Sequence, residues 1–195
     1  ESGVPSKFID ARTIILTDNN FSEAVVDFKV SNPSIRSAIV PLVEQNIVPV
    51  VTGFIASTED GLTTTIGRSG SDYTGSIVGA AIDSTEIWIW TDVDGVMSAD
   101  PRYVHGAKVL SEISYREAAE MSYFGAKVIH PKTMVPAIEK NIPIRIKNTF
   151  NPAYPGTLIS TTTQTTENVV KTVTSINNLS IISIDGNGMV GVPGI

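Results

Sequence analysis

The sequence contains no cysteine among its 195 residues. Disulfide bonds, thiolate metal sites and cysteine nucleophiles are therefore excluded, and a reducing cytoplasm is permitted. Positive charge is also scarce, since 14 Lys and Arg stand against 20 Asp and Glu, which gives a formal net charge of -6 at pH 7. Without a basic field to hold a polyanionic backbone, nucleic acid is not an expected partner.

Long apolar runs are missing as well. The apolar stretches are short and interrupted by proline, whereas a membrane helix needs about 20 apolar residues. No signal-peptide pattern opens the chain, so we expect a cytoplasmic protein with no membrane partner. Apolar residues still make up 42% of the sequence, which is enough to build a core.

Several catalytic and metal-binding signatures are absent. Ser69 is not part of Gly-x-Ser-x-Gly, and no P-loop motif occurs, so a hydrolase elbow and a P-loop enzyme are both excluded. An EF-hand loop would need Gly and Glu where the chain has Met97 and Tyr103. His105 and His130 share no zinc-ligand spacing. We therefore predict no metal ion held by protein ligands.

The amino-terminal part of the sequence predicts a helix followed by a buried strand. Helical spacing over residues 32–46 predicts a helix that Asn32 caps and that Pro33 enters at its first position. The β-branched run at residues 47–55 has no alternation, which is typical of a strand buried on both faces of a parallel sheet.

Strands and helices then alternate along the chain, which predicts an α/β fold with helices on both faces of a mainly parallel sheet. Ligands are expected at the carboxyl ends of its strands. The sequence predicts a turn at 58–61 and strands at 63–66, 86–91, 142–147 and 157–159. It predicts three helices after the turn. The first covers 73–82, the second runs from the capping box of Ser114 and Glu117 to Gly125, and the third runs from Pro131 to about Asn141.

A polar stretch divides the chain into two predicted domains. Residues 161–168 carry no large apolar side chain and are typical of a linker. New strand patterns follow at residues 169–173 and 179–184. Gly3 is typical of a helix carboxyl terminus, so both ends of the chain predict a fragment. The predicted units are 1–160 for the first domain, 161–168 for the linker and 169–195 for a truncated second domain.

The stretch from Thr63 to Tyr73 is the strongest candidate site. A strand ends in a glycine-rich turn that opens a helix at Ser71 or Asp72, so free backbone amides and Arg68 converge in a potential anion site. The same pattern also fits a plain strand-to-helix connection in which Asp72 is the N-cap.

A second candidate is the acidic turn after the strand at 86–91. Asp92 and a second carboxylate beside a glycine suit a metal or a ribose, but they also suit an ordinary turn. Arg102 and Lys127 are the cations near loops that could neutralise a transferring phosphoryl group. By itself, each is more typical of a solvated surface cation.

Taken together, five segments closely resemble the aspartate kinases, and they occur in the same order and at the same spacing over nearly the whole chain. The segments are Thr52-Gly53-Phe54, Thr63 to Tyr73, Ile89 to Val96, Ala99-Asp100-Pro101-Arg102, and Phe124 to Pro131.

This resemblance implies the nucleotide-binding, carboxy-terminal part of an amino-acid-kinase fold, a three-layer α/β/α sandwich. It implies a carboxyl-group phosphotransferase that converts ATP and L-aspartate into ADP and 4-phospho-L-aspartate, the first step toward lysine, threonine and methionine. Mg²⁺ would be carried on the phosphates of ATP.

The resemblance also implies roles for the residues at the aspartate site. Arg68 would pair with a carboxylate of aspartate, with Ser69 and Ser71 nearby. Asp72 would orient the catalytic cations. The family usually has Gly at the position of Ser69, so this chain has less backbone freedom there.

At the nucleotide site, the resemblance implies that Thr91, Asp92 and Met97 line the pocket. Arg102 would contact the phosphates, and Lys127 would stabilise charge on the γ-phosphoryl group. Many family members carry Tyr at the position of Met97, so an aromatic contact would be lost.

Other family segments have no match here. These are the amino-terminal Lys-Phe/Tyr-Gly-Gly-Thr/Ser segment and a helix with a substrate-contacting Glu. Residues 179–195 resemble the first strand and glycine-rich loop of an ACT domain. That resemblance implies feedback inhibition by lysine or threonine, and a homo-oligomer formed through the ACT domain. We therefore expect this span to be inactive alone.

Two alternatives remain open. The chain could belong to another amino acid kinase, such as a glutamate 5-kinase or a uridylate kinase, or to a non-catalytic regulatory or assembly subunit. Arg68, Asp72 and Lys127 argue against the subunit, which would have no need of them.

Overall fold

The computed structural model describes residues 3–126, 129–161, 170–176 and 180. Lys127, most of the predicted linker and most of the predicted second domain lie outside the described residues. The helix end predicted before Gly3 lies there too.

The described residues form eight strands, four α-helices and a short 3-10 helix at Ala11–Thr13. The strands are β1 (Ser6–Ile9), β2 (Val48–Val51), β3 (Ile55–Ser57), β4 (Thr63–Thr65), β5 (Ile87–Thr91), β6 (Glu112–Ser114), β7 (Ile144–Asn148) and β8 (Thr157–Ser160). The helices are α1 (Phe28–Glu44), α2 (Gly70–Ala81), α3 (Tyr115–Tyr123) and α4 (Pro131–Lys140). β1, β6 and the 3-10 helix were not predicted.

Most strand pairs are parallel. β1 pairs with β2, β5 with β7 and β6 with β8 in parallel, whereas β3 with β4 and β7 with β8 are antiparallel. The largest sheet has the order β5-β7-β8-β6, with Ile87 opposite Ile144 and Ile144 opposite Ile159. β8 is antiparallel to β7 because the connection between them is too short for a crossover. The predicted α/β class with mainly parallel pairing is confirmed.

Two apolar clusters form the core. One contains Ile35, Ile66 and Ile77 and lies around α1 and α2. The other contains Ile113 and Ile146 and lies around the four-stranded sheet with α3 and α4. Helices α2 and α4 pack against each other. The Lys132 ammonium in the first turn of α4 lies 5.0 Å from the centroid of the Tyr73 ring in the first turn of α2, so the starts of the two helices are close.

The predicted start of α1 was wrong. The helix begins at Phe28, and its N-cap is Asp27, whose carboxylate accepts hydrogen bonds from the amides of Lys29 and Val30. Asn32 and Pro33 lie inside the helix. Asp27 satisfies two of the amides that a helix start leaves free, so the chain needs no cap at Asn32.

The predicted strand at residues 47–55 was wrong in two respects. It is divided into β2 and β3, and β2 is not buried, since Val48 and Val50 are about half exposed. The division between β2 and β3 lies at Phe54, whose φ is positive at 74°. Phe54 donates its amide hydrogen to Thr74 Oγ1 of α2 at 3.0 Å, so α2 approaches the chain at this point.

One face of β5 is exposed. Trp88 and Trp90 are 52% and 44% exposed. The Lys147 ammonium lies 5.1 Å and 5.4 Å from the centroids of their rings.

None of the helices within the described ranges is long and apolar enough to cross a bilayer.

Candidate active site

The loop between β4 and α2 positions the first group of predicted site residues. Gly67 and Ser69 both have a positive φ, 82° and 55°. Helix α2 begins at Gly70, and Ser69 occupies the N-cap position without a side-chain hydrogen bond to the helix. The prediction of Asp72 as N-cap was therefore wrong, because Asp72 lies within the first turn.

Asp72 and Arg68 differ in their surroundings. Asp72 is half-buried, and this burial raises the pKa of its carboxyl group. The first turn of a helix favours a negative charge, whereas burial disfavours it. Arg68 is exposed, and its guanidinium makes no hydrogen bond or ion pair to another described residue, so it is available to a carboxylate ligand.

Arg68, Ser69 and Asp72 line a pocket of about 590 Å³, which we call the Asp72 pocket. Its volume lies in the range of small-molecule sites. The opposite wall comes from the end of α3 and the start of α4, namely Ser122, Tyr123, Gly125, Ala126, Ile129, His130 and Pro131. Ser71 is exposed and lines an adjacent recess that also includes Arg68, Ser69 and Glu23.

Hydrogen bonds fix this opposite wall. Ser114 and Glu117 form the predicted capping box of α3, and the helix ends before Gly125, whose φ is 94°. Ser122 Oγ donates to the Ile129 carbonyl at 2.5 Å. His130 caps α4, and its Nδ1 accepts the amide hydrogen of the second helical residue at 3.3 Å.

A second pocket of about 360 Å³ lies at the carboxyl end of β5, and we call it the Met97 pocket. It contains three of the predicted residues, Thr91, Met97 and Arg102. Asp92 does not line it; the side chain is exposed and accepts a hydrogen bond from Thr91 Oγ1 at 3.2 Å. The other lining residues are Val93, Gly95, Ala99, Asp100, Pro101, Met121, Gly125, Ala126, Ile146 and Thr172 to Ser175.

The loop that follows β5 is tied to the sheet. Asp94 Oδ1 accepts hydrogen bonds from Asn148 Nδ2 at 2.8 Å and Asn151 Nδ2 at 3.1 Å. A Cβ on Gly95 would lie 2.4 Å from Thr157 Oγ1, so only glycine fits there. The second carboxylate of the acidic turn therefore anchors the loop.

Arg102 is paired within the Met97 pocket. Its guanidinium lies 2.6 Å from Asp100 Oδ2 and is 79% exposed. This contact lowers the pKa of the Asp100 carboxyl group. Because the pair is exposed, it is weak, and a phosphate group can replace the carboxylate.

Residues 172–175 form a wall of the Met97 pocket that sequence reasoning missed. Val173 donates its amide hydrogen to the Ser98 carbonyl at 2.9 Å, and Lys171 Nζ lies 2.9 Å from Glu117 Oε1. Residues 170–173 are not a strand, so that prediction was wrong for them. No local motif signals a contact between positions so far apart in the chain.

The two pockets share Gly125 and Ala126. The two pockets therefore adjoin at these two residues. Lys127 follows Ala126 directly in the chain but lies outside the described residues. Within the described ranges, no three His, Asp or Glu side chains form a group suited to a metal ion.

The fold and the site define an α/β protein with two adjoining pockets, one of them at a strand's carboxyl end. The family model for the amino acid kinase family matches residues 1–148. The chain therefore belongs to the amino acid kinase family.

Its relatives are aspartokinases. The chain is 41% identical to the bifunctional aspartokinase/homoserine dehydrogenase 1, chloroplastic, of Zea mays. The match covers the full length of this chain and 21% of the Zea mays protein. The structure of E. coli aspartokinase III in complex with aspartate and ADP (R-state) matches with a TM-score of 0.77 and 38% identity, over 83% of this chain and 36% of that chain. The complex of the same enzyme with lysine and aspartate (T-state) matches with a TM-score of 0.74 and 38% identity, over 82% and 36%.

The chain spans about a fifth of the length of the curated relatives it matches and about a third of the E. coli aspartokinase III chain.

Proposed function

We propose that the protein is an aspartate kinase, which transfers the γ-phosphoryl group of ATP to the side-chain carboxylate of L-aspartate. The observation that carries this proposal is the contact between the two pockets at Gly125 and Ala126. Phosphoryl transfer requires the donor and the acceptor to be held side by side. The complex of E. coli aspartokinase III with aspartate and ADP supports these two ligands.

The Met97 pocket would hold ATP. Thr91 and Met97 lie against the nucleotide, with Asp92 at the rim of the pocket. Arg102 exchanges Asp100 for a phosphate, which offers its guanidinium a bidentate partner. Mg²⁺ enters on the phosphates of ATP as part of the substrate.

The Asp72 pocket would hold L-aspartate. The exposed guanidinium of Arg68 binds a carboxylate of the substrate, and Ser69 and Ser71 offer hydroxyl groups beside it. The Asp72 carboxylate attracts cationic groups, so it orients the cations that surround the transferring phosphoryl group.

The reaction forms one bond and breaks one. A side-chain carboxylate oxygen of aspartate bonds to the γ-phosphorus, and the bond from that phosphorus to the β,γ-bridging oxygen breaks, releasing ADP and 4-phospho-L-aspartate. The Lys127 ammonium stabilises the charge on the phosphoryl oxygens during transfer. The reaction is the first step toward lysine, threonine and methionine.

Further parts of the proposal concern the whole protein. Residues 169–195 begin an ACT-type domain through which the protein forms a homo-oligomer and binds an amino acid as feedback inhibitor. The complex of E. coli aspartokinase III with lysine supports an inhibitor of this class.

The test is ADP release by the full-length protein with a panel of acceptors. We expect release with L-aspartate but not with L-glutamate or UMP, and trapping of the product by hydroxylamine as the hydroxamate of an acyl phosphate. Release with glutamate or UMP instead would identify another amino acid kinase. Absence of release with every acceptor would indicate a non-catalytic subunit.

A variant tests the role of Lys127. Lys127→Ala is expected to lower kcat by about 100-fold or more, because a positioned charge is lost in the transition state. The matched control is Lys140→Ala, which removes an exposed ammonium from the end of α4. Undiminished turnover in Lys127→Ala would remove this residue from the mechanism.

A further inference from the structure

Lys132 makes two contacts far from its own helix. It is the second residue of α4 and is half-buried. Its Nζ donates a hydrogen bond to the carbonyl oxygen of Ile66 at 3.0 Å. The same ammonium lies 5.0 Å from the centroid of the Tyr73 ring. The side chain therefore reaches from α4 to both sides of the loop that carries Arg68.

The position of this cation is not favourable for α4 itself. The amino terminus of a helix carries partial positive charge, so an ammonium in the first turn is repelled. The backbone amide of Lys132 is already satisfied by His130 Nδ1 at 3.3 Å. The stabilising partners of the ammonium are thus the Ile66 carbonyl and the Tyr73 ring.

The Arg68 loop, residues 67–69, needs such external support. Ser69 adopts a positive φ, which is uncommon for a residue with a Cβ, and it lacks a side-chain bond to cap α2. An uncommon backbone conformation persists only when its surroundings hold it. Ile66 enters the loop as a fully buried residue, and its amide is bonded to the Phe54 carbonyl at 3.1 Å. Lys132 holds the carbonyl of the same residue.

We propose that Lys132 is the positioning residue of the Arg68 loop. It fixes Ile66 at the loop entry and Tyr73 in the first turn of α2, and so holds Arg68 and Asp72 at the Asp72 pocket. It does not touch substrate. The consequence for aspartate binding depends on the proposed function, whereas the consequence for loop order does not.

The first test measures loop order in the full-length protein by tryptic cleavage after Arg68 under native conditions. Lys132→Met keeps an apolar stem but removes the ammonium. Its cleavage is expected to be about tenfold faster than in the wild type, from loss of a charge-assisted hydrogen bond. Lys132→Arg keeps a donor and a cation, and is expected to stay within about twofold of the wild type.

The matched control is Lys140→Met in the last turn of the same helix. It removes the contact of an exposed ammonium with Asp83 at 2.8 Å and is expected to leave cleavage after Arg68 unchanged. Equal cleavage rates in Lys132→Met and the wild type would overturn the proposal. So would equal acceleration in Lys132→Met and Lys140→Met, since that would indicate general destabilisation. If Lys132→Met does not fold, Lys132→Gln provides the same comparison.

The second test separates the effect on the two substrates. Lys132→Met is expected to raise KM for L-aspartate by about tenfold and to leave KM for ATP within about twofold, with rescue by Lys132→Arg. A rise in KM for ATP alone would contradict the proposal. If the wild type shows no aspartate-dependent turnover while Lys132→Met still accelerates cleavage, the proposed function fails and the positioning role stands.

Discussion

Ser69 has the left-handed backbone conformation, with φ 55° and ψ 32°. The resemblance to aspartate kinases implies glycine at this position, which a positive φ favours. A residue with a Cβ pays about 1 kcal/mol or more for this conformation, whereas glycine adopts it readily. The chain therefore stores backbone strain beside the proposed aspartate site.

We expect Ser69→Gly to stabilise the fold by up to about 1 kcal/mol, because the relief of strain exceeds the added entropy of the unfolded chain. Ser71→Gly is the matched control, since it lies inside α2, where glycine costs about 0.5–1 kcal/mol. Urea unfolding of the two variants measures the difference. If Ser69→Gly lost as much stability as Ser71→Gly, the backbone of Ser69 would not be strained.

The half-buried carboxylate of Asp72 lowers the stability of the fold when it is ionised. Burial raises its pKa in the folded state, so the folded state binds a proton more tightly than the unfolded state. Stability therefore falls as pH rises from the unfolded pKa through the folded pKa, and stays lower above it. Asp72→Asn carries no such cost.

Asp72→Asn is thus expected to melt at a slightly higher temperature than the wild type at pH 7, and the difference is expected to shrink as pH is lowered toward about 4. Aspartate-dependent ADP release is expected to fall by at least about tenfold, because the neutral amide no longer orients cations. A lower melting temperature of Asp72→Asn at pH 7 would show that the helix-terminus interaction, not burial, dominates.

At the scale of elements, local signals predicted α3 and α4 well. The capping box of Ser114 and Glu117 is formed, and Asn141 ends α4 in a left-handed conformation. The start of α1 was not predictable, because it depends on a choice between competing caps. The division between β2 and β3 at Phe54 was not predictable either, because it depends on the approach of α2, which is distant in the chain.

The capping box holds the helix that leads to Gly125. Burial alone would raise the pKa of Glu117, but hydrogen bonds from the Ser114 amide and hydroxyl and the ammonium of Lys171 lower it below its usual range. A lowered carboxyl pKa contributes stability above the unfolded pKa, and this contribution is lost as pH falls through the folded value.

Ser114→Ala is expected to destabilise the protein by about 1 kcal/mol through loss of the N-cap. The control is Ser111→Ala, at an exposed serine just before β6, for which a change within about 0.5 kcal/mol is expected. Denaturant midpoints measure both. Equal midpoints for the two variants would mean that the capping box adds little to the fold.

In the whole molecule, loops that the sequence singled out line the two pockets, but the sequence did not predict how these loops meet. Arg68, Ser69 and Asp72 share one pocket, and Thr91, Met97 and Arg102 share another, as expected from loops at strand ends. The wall formed by residues 172–175 and the support from Lys132 depend on long-range packing, for which the sequence has no local signal.

In the proposed mechanism, two different substrates occupy the two adjoining pockets. Initial-rate kinetics of the full-length protein, with both substrates varied, compares Arg68→Ala with Arg102→Ala. We predict that Arg68→Ala raises KM for L-aspartate by about tenfold or more with little change for ATP, and that Arg102→Ala does the reverse. If both variants raise the KM of the same substrate, or neither changes either KM, the assignment of the pockets is contradicted.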